Sequence, residues 1–327
     1  MQSLWMLFAT FVFAIMAVAV KLASNLYSTS EIVMYRGLIS VIVMFVLIRF
    51  QGGTLKTVLG WHHAWRGVVG VTALWLWFSA IALLPLATAM TLNYMSPIWI
   101  AAILFAAGWW QGKNRFEWSL AAAVALSFVG VICLLRPSIH SNQWLGGMLG
   151  LVSGVLTALA YIQVRKLSQM GEPEYRVVFY FSLTNIVAGL LGIFATALLS
   201  TIGAPSATPS LQPVLHSHSA YGLALLLGIG VSATVAQLAM TRAYRLGKML
   251  ITANLQYTGI VFSSFWGVLI WGDILDGFSW AGIAIILASG IVATFYNSRK
   301  TAESKSSANG NKLNKAMPPT DPITTEL

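Results

Sequence analysis

The chain has 327 residues, of which 57% are hydrophobic and only 9% are charged. A soluble domain typically carries about 25% charged residues, so 19 basic and nine acidic side chains are too few to cover a soluble protein of this length. The mean hydropathy of +0.77 predicts a polytopic membrane protein and excludes a pair of soluble domains. In such a protein a net charge of +10 reports topology rather than nucleic-acid binding. A single cysteine, Cys133, excludes an intrachain disulfide.

Ten apolar runs, each about the length of a membrane-spanning helix, follow one another along the chain. They predict an all-α bundle, because the sequence lacks the period-two alternation of a transmembrane β-barrel. The run 4–20 has neither a basic start nor a small-x-small cleavage site, so we interpret it as an uncleaved first helix rather than a signal peptide. The predicted spans are 4–24, 31–49, 65–83, 86–109, 117–135, 145–164, 176–200, 220–242, 249–271 and 279–297.

The basic residues predict the orientation of these spans. With the amino terminus in the cytoplasm, sixteen of the nineteen Lys and Arg residues, Arg66 among them, lie on or near the cytoplasmic side. Only Lys21, Arg36 and Arg136 then lie toward the outside, and the outer connection 201–218 contains no Lys or Arg. This asymmetry follows the positive-inside rule, so we expect both termini in the cytoplasm. The polar tail 299–327 is predicted to be disordered, because it cannot bury enough apolar surface to offset its ordering entropy.

The two halves of the chain share a pattern. Residues 88–118 and 250–280 align at a constant offset, which pairs Ile98 with Ile260, Trp109 with Trp271, Phe116 with Phe278 and Trp118 with Trp280. Five spans per half is an odd number, so the second half must enter the membrane upside down. Inverted repeats are typical of secondary transporters, whose substrate site lies near the midplane between the repeats. We therefore predict repeats at 1–138 and 139–298.

The order of motifs in each half resembles the drug/metabolite transporter superfamily, and specifically its EamA-type members with ten helices in two inverted five-helix repeats. Each repeat of that family ends in a polar helix with a proline, an apolar stretch, an acidic turn and a last helix with spaced glycines. The matching residues here are Pro97 and Gly259 in the polar helices, Asp273 in the second turn (Gln111 in the first), Gly282 and Gly290 in the last helix (Gly130 in the first copy), and Arg36 in the second helix.

Polar side chains at bilayer depth are costly unless they face a wet cavity or a neighbouring helix. Each candidate therefore either contacts substrate or makes a hydrogen bond that only joins two helices. Pro97 removes a backbone hydrogen bond and predicts a helix break or gate. The candidate cavity residues are Arg36, Trp75, Trp77, Asn93, Tyr94, Asn254, Gln256 and Tyr257, with Lys21, Tyr180, Asn185 and Gln237 as secondary candidates.

Arg36 and the two mid-span tryptophans have the most specific expectations. Arg36 lies about six residues inside the second helix, so it either binds an anionic substrate group or belongs to a buried ion pair. Trp75 and Trp77 are two residues apart and point to different sides, so we expect one of them to line the cavity. Gly146, Gly150 and Gly154 recur every four residues and allow close helix packing, within the chain or in a dimer.

The sequence does not indicate an enzyme. It contains no HExxH, GxSxG or glycine-rich phosphate loop, and its five histidines lie in loops or at span ends, where we interpret them as solvated. We therefore predict no catalytic residue, no cofactor and no metal.

We expect a secondary transporter in the bacterial cytoplasmic (inner) membrane that moves a small metabolite by alternating access. The family resemblance favours export of an amino acid or a related compound. The alternatives are uptake of a planar or anionic vitamin-like or nucleotide-like metabolite, and flipping of a lipid-linked sugar. No Asp or Glu lies mid-span, so uniport or exchange is as compatible as proton antiport. The expected partners are the substrate and the bilayer, without nucleic acid, and we expect a monomer rather than a homodimer.

Overall fold

A computed structural model describes residues 2–84, 86–110, 118–135, 144–201, 219–272, 276–293 and 295. Helices dominate these ranges, and no strand occurs within them. The helices are α1 (Gln2–Ala23), α2 (Thr29–Gln51), α3 (Gly60–Leu83), α4 (Leu86–Asn93), α5 (Ser96–Trp110), α6 (Trp118–Leu135), α7 (Trp144–Gln169), α8 (Glu174–Thr201), α9 (Ala220–Leu246), α10 (Met249–Gln256), α11 (Thr258–Trp271) and α12 (Gly277–Ala293). Asp273, Gln111, Arg136 and the tail 299–327 lie outside the described residues.

Seven of the described helices are long and apolar enough to cross a membrane: Ser3–Ala23, Thr29–Gln51, Ala89–Trp110, Trp118–Leu135, Trp144–Gln169, Glu174–Leu198 and Ala220–Leu246. Large apolar side chains cover their outer surface, including Leu191 and Phe194 of α8, as expected for contact with lipid. The protein is therefore an all-α, multi-pass membrane protein. The count of ten spans stays a prediction.

Local sequence signals set the ends of these helices. Ser28 and Glu31 form a capping box at the start of α2: Glu31 Oε2 accepts from the Ser28 amide at 2.7 Å, and Ser28 Oγ accepts from the Glu31 amide. Gly52 ends α2 with φ of +66°, and Gly272 ends α11 with φ of +70°. Both positions need the left-handed conformation that glycine adopts without strain. Glu31 is thus a helix cap and fully buried.

Two spans are broken in mid-course. Between α4 and α5, the Met95 amide donates to Leu92 O at 3.3 Å, and Pro97 has no N–H to continue the α-helical pattern. Between α10 and α11, the Tyr257 amide donates to Asn254 O at 3.2 Å. Both bonds span three residues, so each helix tightens locally at its break. The two breaks occupy matching positions in the sequence alignment of the halves.

The principal helix pairs each join the first half of the chain to the second. α1 packs against α9, α3 against α7, and α2 against α8. Glycines permit the closest approaches: a Cβ at Gly130 of α6 would lie 2.8 Å from Gly282 O of α12, and a Cβ at Gly282 would lie 2.6 Å from Gly130 O. The core of the bundle is therefore built from contacts between the halves.

The glycine row of α7 packs within the chain. A Cβ at Gly146 would lie 2.8 Å from Leu84, and Cβ atoms at Gly150 and Gly154 would lie within 3 Å of Leu92. Since the end of α3 and helix α4 cover this row, the intrachain alternative accounts for it.

Candidate substrate cavity

A cavity of about 220 Å³ lies at the centre of the bundle. Its walls come from α1, α2, α3 and α4 of the first half and from α7, α8, α9, α10 and α11 of the second. Much of the wall is apolar, with Met6, Phe13, Ala14 and Met240 among its members. The polar lining residues are Thr10, Arg36, Arg66, Asn93, Tyr94, Thr157, Tyr161, Gln237, Gln256 and Ser263.

The structure brings six of the predicted residues to this cavity: Arg36, Trp77, Asn93, Tyr94, Gln237 and Gln256. Trp75 does not line it: its ring tip packs against Gly192 of α8, where a Cβ would lie 2.3 Å from the ring. Asn254 and Tyr257 are fully buried outside the lining, although they flank Gln256 in sequence. Successive helical residues point about 100° apart, so only part of this polar cluster can face the cavity.

The other predicted residues lie away from the cavity. Pro97 is buried in the first turn of α5, just after the break. Lys21 is exposed near the end of α1. The Tyr180 hydroxyl donates to Leu55 O at 2.9 Å, at the end of the bundle where α8 begins. Asn185 lines a separate pocket of about 10 Å³ that also touches Arg36 and Gln237.

Asn93 links the first break to α7 and α3. Its Nδ2 donates to Ser153 Oγ at 2.8 Å, and Ser153 Oγ donates to Ala73 O at 2.9 Å. Thr157 Oγ1 lies 3.4 Å from the same Nδ2. These bonds hold the amide at the cavity wall and satisfy a polar side chain that would otherwise be costly at this depth.

Gln256 lies directly before the second break, at the position that aligns with Tyr94. Its Nε2 donates to the Tyr161 hydroxyl at 3.2 Å, and its Oε1 accepts from the Tyr244 hydroxyl at 3.4 Å. The two tyrosine rings stack with centroids 5.4 Å apart. Three helices, α7, α9 and α10, thereby fix Tyr161 at the cavity wall.

The cavity also contains a residue that the sequence interpretation placed elsewhere. The sequence places Arg66 on or near the cytoplasmic side, one residue after the predicted start of the third span at residue 65, and not among the candidate site residues. In the structure α3 begins at Gly60, and Arg66 lies in its second turn and is only 3% exposed. Its guanidinium carbon lies 4.0 Å from the centroid of the Phe181 ring. Gly67 and Gly70, one and four residues later, are the sequence signal that could have indicated a buried, closely packed arginine.

Arg36 and Arg66 are the charged side chains among the described residues that line the cavity. Their charges interact with each other and with the phenol of Tyr161. The salt bridges found among the described residues do not include either arginine, and no Asp or Glu is among the lining residues. The guanidinium, phenol and amide donors that line the cavity can therefore hydrogen-bond to an anionic group of a ligand.

A second polar cluster closes one end of the bundle, outside the cavity. Glu172, between α7 and α8, accepts from Thr57 Oγ1 and from Arg176 Nη1 at 3.1 Å, and its Oε2 lies 3.5 Å from His63 Nε2. Burial of Glu172 opposes ionisation, but the two hydrogen bonds and the charge of Arg176 outweigh it and lower the pKa of its carboxyl. His63 is 2% exposed, so its interpretation as a solvated histidine is wrong.

Comparison with known proteins agrees with this architecture. The model of the EamA-like transporter family matches residues 1–136. The pseudopaline exporter of Pseudomonas aeruginosa is 31% identical over 283 residues, which cover 86% of this chain and 91% of the exporter. The chain belongs to the EamA-like transporter family. This family belongs to the drug/metabolite transporter superfamily, and its members are transporters, so small-molecule transport across a membrane follows for this member too.

Two further comparisons extend over nearly the whole EamA-like chain. A riboflavin transporter of Vibrio cholerae is 24% identical and covers 94% of this chain and 97% of its own. A solved crystal structure superposes with a TM-score of 0.71 at 18% identity, over 91% of this chain and 98% of that chain. The structural likeness establishes the fold alone.

Proposed function

We propose that this EamA-like protein is a secondary transporter that exports a small anionic metabolite, an amino acid or a related compound, across the cytoplasmic membrane by alternating access. The observation that carries the proposal is the central cavity with Arg36 and Arg66 in its wall and no carboxylate among its described lining residues. A guanidinium at this depth recognises a carboxylate through two parallel hydrogen bonds. The similarity to an exporter at 31% identity supports the direction.

Alternating access is supported by the way the two halves interlock. Helix α7 packs against the α4–α5 break: a Cβ at Gly154 would lie 2.7 Å from Leu92 O. The α10–α11 break is crossed by α1, since Thr10 Oγ1 lies 3.0 Å from Thr258 Oγ1. Each break is therefore contacted by the first helix of the other half. This exchange is the arrangement expected of inverted repeats with the substrate between them.

The same lining supports uniport or exchange over proton antiport. Proton coupling within a membrane usually employs an embedded carboxylate. Glu31 is engaged in the capping box at the start of α2, and Glu172 lies in the cluster at the end of the bundle. Neither faces the cavity. The orientation with both termini in the cytoplasm belongs to the proposal and rests on the positive-inside distribution.

Cavity size favours a compact substrate over a planar vitamin. Pockets for drug-sized ligands usually enclose roughly 300–1,000 Å³, and the cavity here is about 220 Å³. The riboflavin transporter of Vibrio cholerae is also the more distant of the two named relatives. Uptake of a planar anionic metabolite is thus the second candidate function.

A metabolite comparison between a deletion strain and an overexpressing strain tests the proposal. Overexpression should enrich an acidic, amino-acid-related metabolite in the medium, and deletion should retain it in the cytosol. Accumulation in the cytosol on overexpression would instead support uptake. A strain pair without any difference in small metabolites would refute the transport function proposed here.

Variants of Arg36 separate a role in binding from a role in folding. Arg36→Lys keeps the charge but loses the planar fork, so export should fall sharply while the protein stays monodisperse in detergent. Arg36→Ala should abolish saturable export with the same monodispersity. Aggregation of Arg36→Ala would favour a structural role, and wild-type export by Arg36→Ala would refute the binding role.

A further inference from the structure

We infer that Arg36 and Arg66 form a two-cation site and that the exported substrate is a compact dicarboxylate, with one carboxylate for each guanidinium. This inference rests on the proposed function, because it names the substrate class of the same cavity. It also assigns positioning roles to Gly70 and Phe181, which hold Arg66 in place.

The first line of evidence is the missing counter-charge. Arg66 Nε and Nη1 are buried without a hydrogen-bond partner, and no acidic residue is among the described lining residues. Buried cations in proteins are normally paired, since an isolated charge in a low-dielectric interior is strongly unfavourable. Two arginines whose charges repel each other would be neutralised together by a ligand with two negative charges.

The second line of evidence is the direction of the Arg66 side chain. An arginine near the end of a span normally extends back toward the nearby headgroups. Arg66 is the seventh residue of α3, yet its Nη1 approaches Gly70, one turn further into the helix. The guanidinium therefore points away from the near end of the span and toward the cavity. A residue that served only to set topology would gain nothing from this direction.

The third line of evidence is a slot that fits the guanidinium. A Cβ at Gly70 would lie 2.3 Å from Arg66 Nη1 and 3.0 Å from the Phe181 ring. The guanidinium carbon is 4.0 Å from the centroid of that ring, within the range of a cation–π interaction. Gly70 on α3 and Phe181 on α8 thus enclose the guanidinium, and any larger residue at position 70 would displace it.

Two separate guanidinium groups also discriminate between acidic ligands. Each presents a fork that matches one carboxylate, and a cavity of about 220 Å³ suits a compact molecule between them. A single phosphate could also carry two negative charges, but it holds them on one centre, whereas a diacid presents a separate planar carboxylate to each guanidinium. The site therefore predicts tighter binding of a dicarboxylate than of inorganic phosphate.

Binding to the purified full-length protein in lipid nanodiscs tests the substrate class. The probes are succinate, glutarate and adipate, each beside its own monoamide, with inorganic phosphate as a further anion. We expect at least one diacid to bind about 10- to 100-fold more tightly than its monoamide, as for hydrogen bonds to a charged group. Arg36→Gln and Arg66→Gln should each reduce that preference to about onefold. If no diacid is preferred, if phosphate binds as tightly, or if the preference survives in Arg66→Gln, the inference is wrong.

Arg245→Gln is the matched control for the loss of one positive charge. Arg245 is 41% exposed, pairs with Glu174 at 3.0 Å and is not among the lining residues. This variant should keep the full diacid preference. A loss of preference in Arg245→Gln equal to that in Arg66→Gln would mean that overall charge, rather than the two-cation site, determines binding.

Gly70→Ala tests the positioning role without removing a charge. The added methyl group meets the flexible end of Arg66, so the helix should fold normally while the guanidinium shifts. The diacid preference should fall at least about tenfold. Gly228→Ala places the same substitution in α9, where nothing lies within 4 Å, and should leave the preference unchanged. If Gly70→Ala kept the diacid preference of the wild type, the positioning role of Gly70 would be refuted.

The outcomes also separate this inference from the proposed function. Export of a metabolite with one acidic group or none, unaffected in Arg66→Gln, would overturn the substrate class and leave the transporter in place. Absence of any exported metabolite in the strain comparison would overturn the function itself.

Discussion

The cluster around Glu172 permits a quantitative prediction, because the Glu172 carboxylate links the α7–α8 connection to the α2–α3 connection. Glu172 is 4% exposed and lies between α7 and α8, whereas Thr57 lies between α2 and α3. Glu172→Gln keeps one acceptor oxygen but loses the negative charge opposite Arg176 and His63. Hydrogen bonds to charged groups contribute about 1.5–3 kcal/mol each. We expect the variant to lose about that much free energy of unfolding at pH 7.

The pH dependence of this loss follows from the lowered pKa of Glu172. The carboxylate stabilises the folded state fully above its ordinary pKa of 4.5, and this contribution disappears as the pH falls through the lower folded value. The part of the difference between wild type and Glu172→Gln that comes from this carboxylate should therefore be present at pH 7 and should disappear as the pH falls through the folded pKa of Glu172. Protonation of His63, which lies 3.5 Å from Glu172, should first enlarge the difference, because the carboxylate stabilises the imidazolium. Titration of detergent-solubilised protein with SDS at several pH values measures it.

Glu174→Gln is the control for this experiment. Glu174 is only two residues away, but it pairs with the partly exposed Arg245, so its substitution should change the free energy of unfolding by about 0–1 kcal/mol. Equal losses in the two variants, or a Glu172→Gln difference that keeps its full size in buffers well below the ordinary carboxyl pKa of 4.5, would refute the reasoning. Either result would mean that the carboxylate is not the stabilising group of the cluster.

The remaining predictions concern helix packing and topology. Gly282→Ala should lose about 1–3 kcal/mol of stability, because its Cβ would meet the backbone oxygen of Gly130 at 2.6 Å. Gly277→Ala, in the same helix with nothing within 4 Å, should be neutral or slightly stabilising in the same SDS titration, and equal losses would refute the close contact. In a chain with Cys133 replaced by Ser, cysteines introduced at 201–218 should react with an impermeant maleimide in intact cells, and those at 50–64 or 299–327 should not. Labelling of the tail in intact cells would refute the orientation.

The fold was largely predictable because its strongest determinants are local. Apolar runs of about twenty residues predict membrane helices, and Pro97 indicates a break that lies two residues before it. The second break, at Tyr257, has no proline. Its local signal is weaker: Gly259, which aligns with Pro97, lowers helix propensity but does not remove a backbone hydrogen bond.

The site was only partly predictable, for two physical reasons. Which face of a helix a residue occupies depends on the rotation of that helix against its neighbours, so Gln256 reaches the cavity and Tyr257 does not. The depth of a charged residue depends on where the span begins, and apolar composition sets that start only to within several residues. Helix α3 begins five residues before the predicted start of the third span, so Arg66 lies in the second turn of the helix and lines the cavity.

The two breaks explain how the cavity can respond to movement of the helices around it. At the α4–α5 break, Asn93 bonds to Ser153 of α7 at 2.8 Å. At the α10–α11 break, Thr258 contacts Thr10 of α1 at 3.0 Å. A displacement of α1 or α7 must therefore change the hydrogen bonds at a break, and the residues beside each break, Asn93 and Gln256, line the cavity. In the transport cycle proposed above, substrate binding and helix displacement would act on the same few polar groups, which is the coupling that alternating access requires.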